Sequence, residues 1–315
     1  GSHSYRSSSS GGGGTAGGIL PGIIFGAVVL LFIFLMIQGR KRNSALYGVP
    51  VAKPLDKVEG YAAFIAANPD FDEGKFLEKG RMAFIEIQDA WEARDLGKVR
   101  RFLSDGVWQR FESQFRMMQA LQQKNTIDKL SVKKVFVDSF DVDGSFDIAH
   151  VAIQASIDDH FVCELDHSLD SGGKEEFTEY WSFMKKRGVS AKDMYGKPCC
   201  PNCGGELSAG MGESTKCPYC GSLTNSGAYD WVLTEITQSD DWIGLSPKLR
   251  SSSELSGKVS ALVEESGDFA VQLLEDKASN GYLQLLIGRA FRDPALIRRF
   301  VNDEVFDRET AAFSK

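Results

Sequence analysis

The sequence predicts an α+β fold: a helical layer packed on a curved antiparallel sheet. Three observations predict it. From Phe71 to about Gln123 apolar residues recur at helical spacing. From Val135 onward they recur every second residue in separate runs, at Val135 and Val137, Val151 to Ile157, Glu176 to Met184 and Tyr229 to Thr237, the strand signature. Helices that precede a run of strands, rather than alternate with them, mark an α+β domain. Four cysteines interrupt the strand region as two C-x-x-C pairs.

Taken in order, residues 1–18 are mostly Ser and Gly. They carry too little apolar surface to offset chain entropy and are expected to be disordered. Gly1-Ser2-His3 reads equally as a tag remnant or as sequence following a removed signal peptide. Ile19 to Ile37 is a run of about 19 residues without a charge, long enough to cross a bilayer as a helix over 19–38. It is apolar on all faces, which argues against a core helix. Arg40-Lys41-Arg42 follow it, whereas a secretory signal carries its basic region in front. The positive-inside rule then puts the body on the cytoplasmic or matrix side and the N-terminal tail outside. Residues 39–70 read as a linker with a short helix, Val58 to Ala67, ended by Asn68-Pro69.

The body spans 71–240. Its first helix, Phe76 to Trp91, carries a stripe of Phe76, Ala83, Phe84, Ile87 and Trp91. Asp72 and Glu73 stand where a cap and a first-turn acid belong. A second helix is expected over Leu96–Leu103 and a third over Asp105–Gln123. Strands follow at Val135 and Val137, and at Val151, Ile153, Ala155 and Ile157, with the turn dipeptide Asp143-Gly144 between them. Glu176–Met184 and Tyr229–Thr237 are the last two strands. They are expected to pair antiparallel across the insertion and to set Trp181 or Trp231 against the first helix near Phe84 and Ile87.

The insertion, 197–222, reads as a zinc ribbon. Cys200-Pro-Asn-Cys203 and Cys217-Pro-Tyr-Cys220 lie 13 residues apart, with Gly204-Gly205 and Gly221 after them. A C-x-x-C turn offers two thiolates to one ion, and two such turns complete a tetrahedral, closed, structural site. A redox dithiol needs only one such pair, after a strand and before a helix. Cys199 reads as a bystander and Cys163 has no partner in the pattern. Thiols kept for a metal suit a reducing compartment.

Composition narrows the function. A net charge of −7 and a pI near 5.3 are poorly matched to nucleic acid. Asp147, His150, Asp158, Asp159 and His160 lie on or beside strands but form no triad or carboxylate cluster, so no catalytic or cofactor-binding residue is assigned. His150 shares a face with Ala152, Gln154 and Ser156, expected to be a solvated or convex face. Lys185-Lys186-Arg187 reads as a solvated strand end.

Phe76 through Trp91 with Arg94 through Leu103, then Glu179-Tyr-Trp-Ser-Phe183 and Tyr229 through Ile236, resemble the Tim44-like domain, found in a mitochondrial import subunit and in bacterial membrane proteins. The resemblance covers about half the chain. It implies a cone related to the nuclear-transport-factor-two-like fold and protein or lipid partners at a membrane. The cysteine insertion departs from the mitochondrial pattern, and the long charged region that engages a chaperone is missing, so chaperone tethering does not carry over. The function implied is a membrane-tethered binding or scaffold module. The alternative is an enzyme or carrier acting on a small apolar ligand in the cone.

A repeat closes the chain. Arg94–Arg110 aligns without gaps with Arg292–Arg308, and eight of 17 positions are identical, including Arg100/Arg298, Arg101/Arg299, Phe102/Phe300 and Asp105/Asp303. Upstream, Phe76 matches Leu273 with a one-residue shift. Residues 268–315 thus read as the helical start of a second, truncated copy, joined by a linker over 241–267.

Overall fold

The first long helix of the computed structural model, α2 below, begins where a side chain can cap it. Asp72 accepts from the Lys75 amide at 3.0 Å, and the helix runs Glu73–Ala93. The structure describes residues 50–207, 211, 214–245 and 253–313. Among them are six α-helices and one four-stranded sheet: α1 (Tyr61–Ala67), α2 (Glu73–Ala93), α3 (Asp105–Ala120), β1 (Gln123–Asp143), β2 (Phe146–Cys163), β3 (Ser171–Lys186), β4 (Val232–Gln238), α4 (Ser253–Ser266), α5 (Val271–Phe291) and α6 (Asp303–Phe313). The expected span, Ile19–Ile37, lies outside the described residues; among those described, no helix is long and apolar enough to cross a membrane.

The sheet is an antiparallel meander in the order β1-β2-β3-β4. Asp143 pairs with Phe146 across a tight turn in which Gly144 adopts φ +58°. Three register shifts, between Asp128 and Ser139, bend β1. β3 and β4 are antiparallel neighbours, Trp181 opposite Ile236 and Met184 opposite Val232, as expected for strands closing across an insertion. The ladder begins only at Val232. Asp230 and Trp231 precede it because the aspartate turns to bond Lys79 and the indole enters the core.

α2 lies across one face of this sheet. Its Phe84 ring is 5.3 Å from Trp181, and its Phe76 ring is 5.8 Å from Phe183 and 4.8 Å from Trp231. The 39–70 stretch is more than a linker. Val58 and Phe64 are buried in the same core, and the Phe64 ring stacks on Phe140 at 4.0 Å.

Three local expectations are corrected. The Leu96–Leu103 helix shrinks to a 3-10 turn at Arg100–Phe102. The Leu103 carbonyl accepts from the Arg100 guanidinium, and the Lys98 carbonyl from Arg101, so buried arginines take groups that a helix would pair with amides. The third helix stops at Ala120, and Gln123 already starts β1. The face carrying His150, Ala152 and Ser156, expected to be solvated or convex, does lie opposite the face that packs on α2, but it is not open to solvent. Trp242 covers it, stacked on Tyr180 at 4.8 Å and tilted by 50° against His150 at 5.0 Å, and Gln154 donates to the Pro50 carbonyl.

Past the sheet, the stretch expected as a linker contains α4, and α5 with the turn leading to α6 repeats local features of α2 with the turn leading to α3. α2 and α5 are both 21 residues long and end on an arginine in the left-handed region, Arg94 at φ 53° and Arg292 at φ 54°. Asp95 and Asp293 each cap the turn that follows. Arg100 bonds Asp105 and lies over Trp108; Arg298 bonds Asp303 and lies over Phe306. Equal helix lengths extend the gapless alignment upstream, so Phe76 corresponds to Leu274 rather than Leu273. α5 starts without a cap of its own. Asp143, in the β1–β2 turn, accepts from the Val271 and Gln272 amides, both at 2.8 Å. α5 then packs on α3 through polar groups: Arg110 with Asp276 at 2.9 Å and Gln284 with Ser113 at 2.6 Å.

Candidate metal centre and the neighbouring cleft

Each knuckle of the insertion is built by the same backbone device. Gly204 N–H donates to the Cys200 carbonyl at 2.8 Å, and Gly221 N–H to the Cys217 carbonyl at 2.9 Å. Both glycines hold positive φ, +76° and +72°, which lets the chain fold back on the cysteine before it. Short bridges, Cys199 with Glu206 and Lys216 with Leu223, close the two arms.

The result brings Cys200, Cys203, Cys217 and Cys220 together, their sulfurs all within 4.8 Å of one another. Cys200 Sγ is 3.7 Å from Cys220 Sγ, and Cys203 Sγ is 3.7 Å from Cys217 Sγ. A disulfide would need about 2.05 Å. A tetrahedron with metal–sulfur bonds of about 2.3 Å has edges of about 3.8 Å, so the donor set fits a structural zinc. Cys200 and Cys217 are buried with Leu207, while Cys203 and Cys220 face outward. Hydrogen bonds from the Ser222 side chain and amide hold the Cys220 thiol down to about 6. Among the described residues this is the one cluster of three or more such groups arranged to hold a metal. The Asn225 amide fastens the ribbon to the body, donating to the Leu103 carbonyl at 2.9 Å, and Lys192 donates to the Pro201 carbonyl at 2.9 Å.

Beside the ribbon's root lies a cleft of about 670 Å³, between the α1–α2 connection and the chain leaving β3. Phe71, Phe76, Met82 and Trp231 line it, with Lys79 and Lys185 among them. Both lysines are committed to the fold. Lys79 Nζ donates to both Asp230 oxygens, at 2.7 and 2.6 Å, and to the Lys192 carbonyl. Lys185 donates to Asn68 Oδ1 at 2.9 Å, and Asn68 donates to Asp147 at 2.9 Å. Burial pulls the Lys185 pKa down and pushes the Asp230 pKa up, the latter against the opposing charge of Lys79.

This network corrects the reading of Lys185 as a solvated strand end, since its side chain is buried. Asp147 is likewise buried, Asp158 pairs with Lys129 at 3.2 Å on the surface, and His150 lies under Trp242, so these groups form no common site. The one hint in the sequence was Asp230 between two aromatics.

Lys79→Met should cost about 3–5 kcal/mol, because it strands the fully buried Asp230 carboxylate. Asp230 is already easier to protonate folded than unfolded, and losing Lys79 raises its folded pKa further. The folded state then binds the extra proton, so stability increases as pH falls through that raised value. Urea midpoints at about pH 7 and about pH 5 check this, with the deficit smaller at the lower pH. An equal deficit at both would remove Asp230 as its cause.

Residues 58–195 match the sequence model of the Tim44-like domain. The match stops where the ribbon begins, and β4 falls beyond it. No curated protein matches the chain.

Proposed function

Since the chain carries a Tim44-like domain over residues 58–195, we propose that it is a membrane-tethered binding module. The domain itself suggests a membrane-associated scaffold or binding role. The apolar run Ile19–Ile37 is the tether, Arg40-Lys41-Arg42 keep the domain on the cytoplasmic or matrix side, and the four-cysteine ribbon is a structural zinc site stiffening one edge. The partner is a protein or lipid at the membrane.

The observation that carries a binding role over catalysis is the chemistry of the cleft. Catalysis on a small ligand needs an inward-facing acid or base of tuned pKa. Here Lys79 and Lys185 are bound internally, and the carboxylates lining the cleft, Asp70, Asp72, Glu78 and Asp193, are exposed. What remains is apolar surface and shape, which suits docking.

Protease added to intact spheroplasts or organelles should leave the domain whole, and should digest it only after the membrane is lysed. The full chain should stay in the membrane pellet through an alkaline carbonate wash. Digestion before lysis would reverse the orientation, and release by carbonate would remove the tether.

A further inference from the structure

The two knuckles of the ribbon match position for position, Cys200-Pro-Asn-Cys-Gly-Gly205 with Cys217-Pro-Tyr-Cys-Gly-Ser222. Each sends the side chain of its third residue to the sixth residue of the other. Tyr219 lies against Gly205, where a Cβ would fall 2.4 Å from the ring. Asn202 donates to the Ser222 hydroxyl at 2.9 Å. Only the second contact brings side-chain donors to a sulfur. The other amide hydrogen of Asn202 goes to Cys220 Sγ at 3.6 Å. The Ser222 hydroxyl is 3.3 Å from the same sulfur, and the Ser222 amide also donates to it. A cysteine that holds a metal is a thiolate, so the serine hydrogen then points to the sulfur. Cys203 is the equivalent ligand and is also exposed, but it is served differently. The Gly205 amide donates to it, and among the described residues no side chain other than the neighbouring cysteines does.

We propose that Asn202 and Ser222 are positioning residues for the metal, holding Cys220 in place on a bound zinc. This rests on the assignment of the four cysteines as a zinc site. Four thiolates around a dication leave an excess of negative charge, and an exposed thiolate is open to competing ligands from solvent. Donors on Cys220 offset part of that charge and fix the direction of its lone pairs. Asn202 also ties that sulfur to the opposite knuckle. The two exposed ligands are therefore held unequally, Cys220 by backbone and side chains, Cys203 by backbone.

The test is competition for zinc between the full chain, reduced and in detergent, and a chelator of known affinity. Asn202→Leu and Ser222→Ala should each weaken zinc binding at least about tenfold, the lower end of the usual range for outer-sphere partners. Ser222→Thr, which keeps the hydroxyl, should bind as the native chain does. Cobalt(II) is the second probe. Its sulfur-to-metal charge-transfer band should move to longer wavelength in the two weakened variants, because a thiolate without donors gives up charge more readily. Tyr219→Ala removes the other contact between the knuckles. It should leave the band in place and weaken zinc less than Asn202→Leu. Either variant binding as tightly as the native chain, or a Tyr219→Ala loss as large as theirs, overturns the proposal and leaves the zinc assignment standing. A native chain that takes up no zinc overturns both.

Discussion

Truncating Trp231 to alanine should destabilise the body by about 3–5 kcal/mol, the range for emptying a fully buried aromatic site. The indole is 1% exposed and touches rings from three directions: Phe76 at 4.8 Å, Phe64 at 6.1 Å and Phe71 at 6.4 Å. These come from α1, the connection after it, and α2, so one substitution loosens the join between the N-terminal segment, the first long helix and the start of β4. Its carbonyl also accepts from the Tyr195 hydroxyl at 2.7 Å, tying the root of the ribbon to the same point. Collapse is hindered because the neighbouring side chains are themselves packed, so much of the cavity should persist. Denaturant melts should show a lower midpoint with an unchanged slope. Trp242→Ala is the control. That ring is only half-buried on the opposite face, stacked on Tyr180, and should cost well under half as much. A Trp231 deficit below about 1 kcal/mol would mean the aromatic cluster is not the core of the fold.

Stripping the metal should unfold the ribbon and leave the body folded. In isolated zinc modules the metal contributes about 10–16 kcal/mol, essentially all of the folding energy. Among the described residues of 197–222, the buried side chains are Cys200, Leu207, Thr215 and Cys217, a small core for holding a shape without a metal. Protein purified under reducing conditions should contain close to one zinc per chain. After chelation, or in Cys217→Ser, hydrogen exchange should become fast across 197–222, with some loosening at Lys192 and Asn225, which fasten the ribbon to the body. Amides in α2 and β2 should stay protected. Replacing 197–222 with a short Gly-Ser turn should likewise keep a single cooperative melt. Met194 and Tyr195, which pack into the core, lie before the excised segment, and Gly227, whose carbonyl accepts from the Lys186 amide, lies after it. Loss of cooperative melting would make the ribbon part of the core rather than a module set into a hairpin.

Most of the body was legible from local pattern. The stripe from Phe76 to Ile87, the cap at Asp72, the Asp143-Gly144 turn and the period-two runs each depend on residues a few positions apart, and each element formed. The paired knuckles foretold a four-sulfur cluster, because C-x-x-C spacing and the glycines that follow it dictate the turn. The aligned Arg94 and Arg292 each end a 21-residue helix in the left-handed region, a likeness that the identities alone did not specify. What the pattern could not settle was which polar groups are buried. Lys185 and Asn68 lie 117 positions apart, and Lys79 and Asp230 lie 151 apart; either lysine alone reads as a surface cation. Nor could it show that Trp242 covers His150, or that α5 docks by its polar row. By itself, then, the sequence determined the long helices, the strands and the knuckles, since those follow from backbone geometry within a few residues, but not the short helices or the element ends. The tertiary structure alone decided which charges leave water and which apolar faces stay in it, because a buried charge is tolerated only where a partner distant in sequence arrives to meet it.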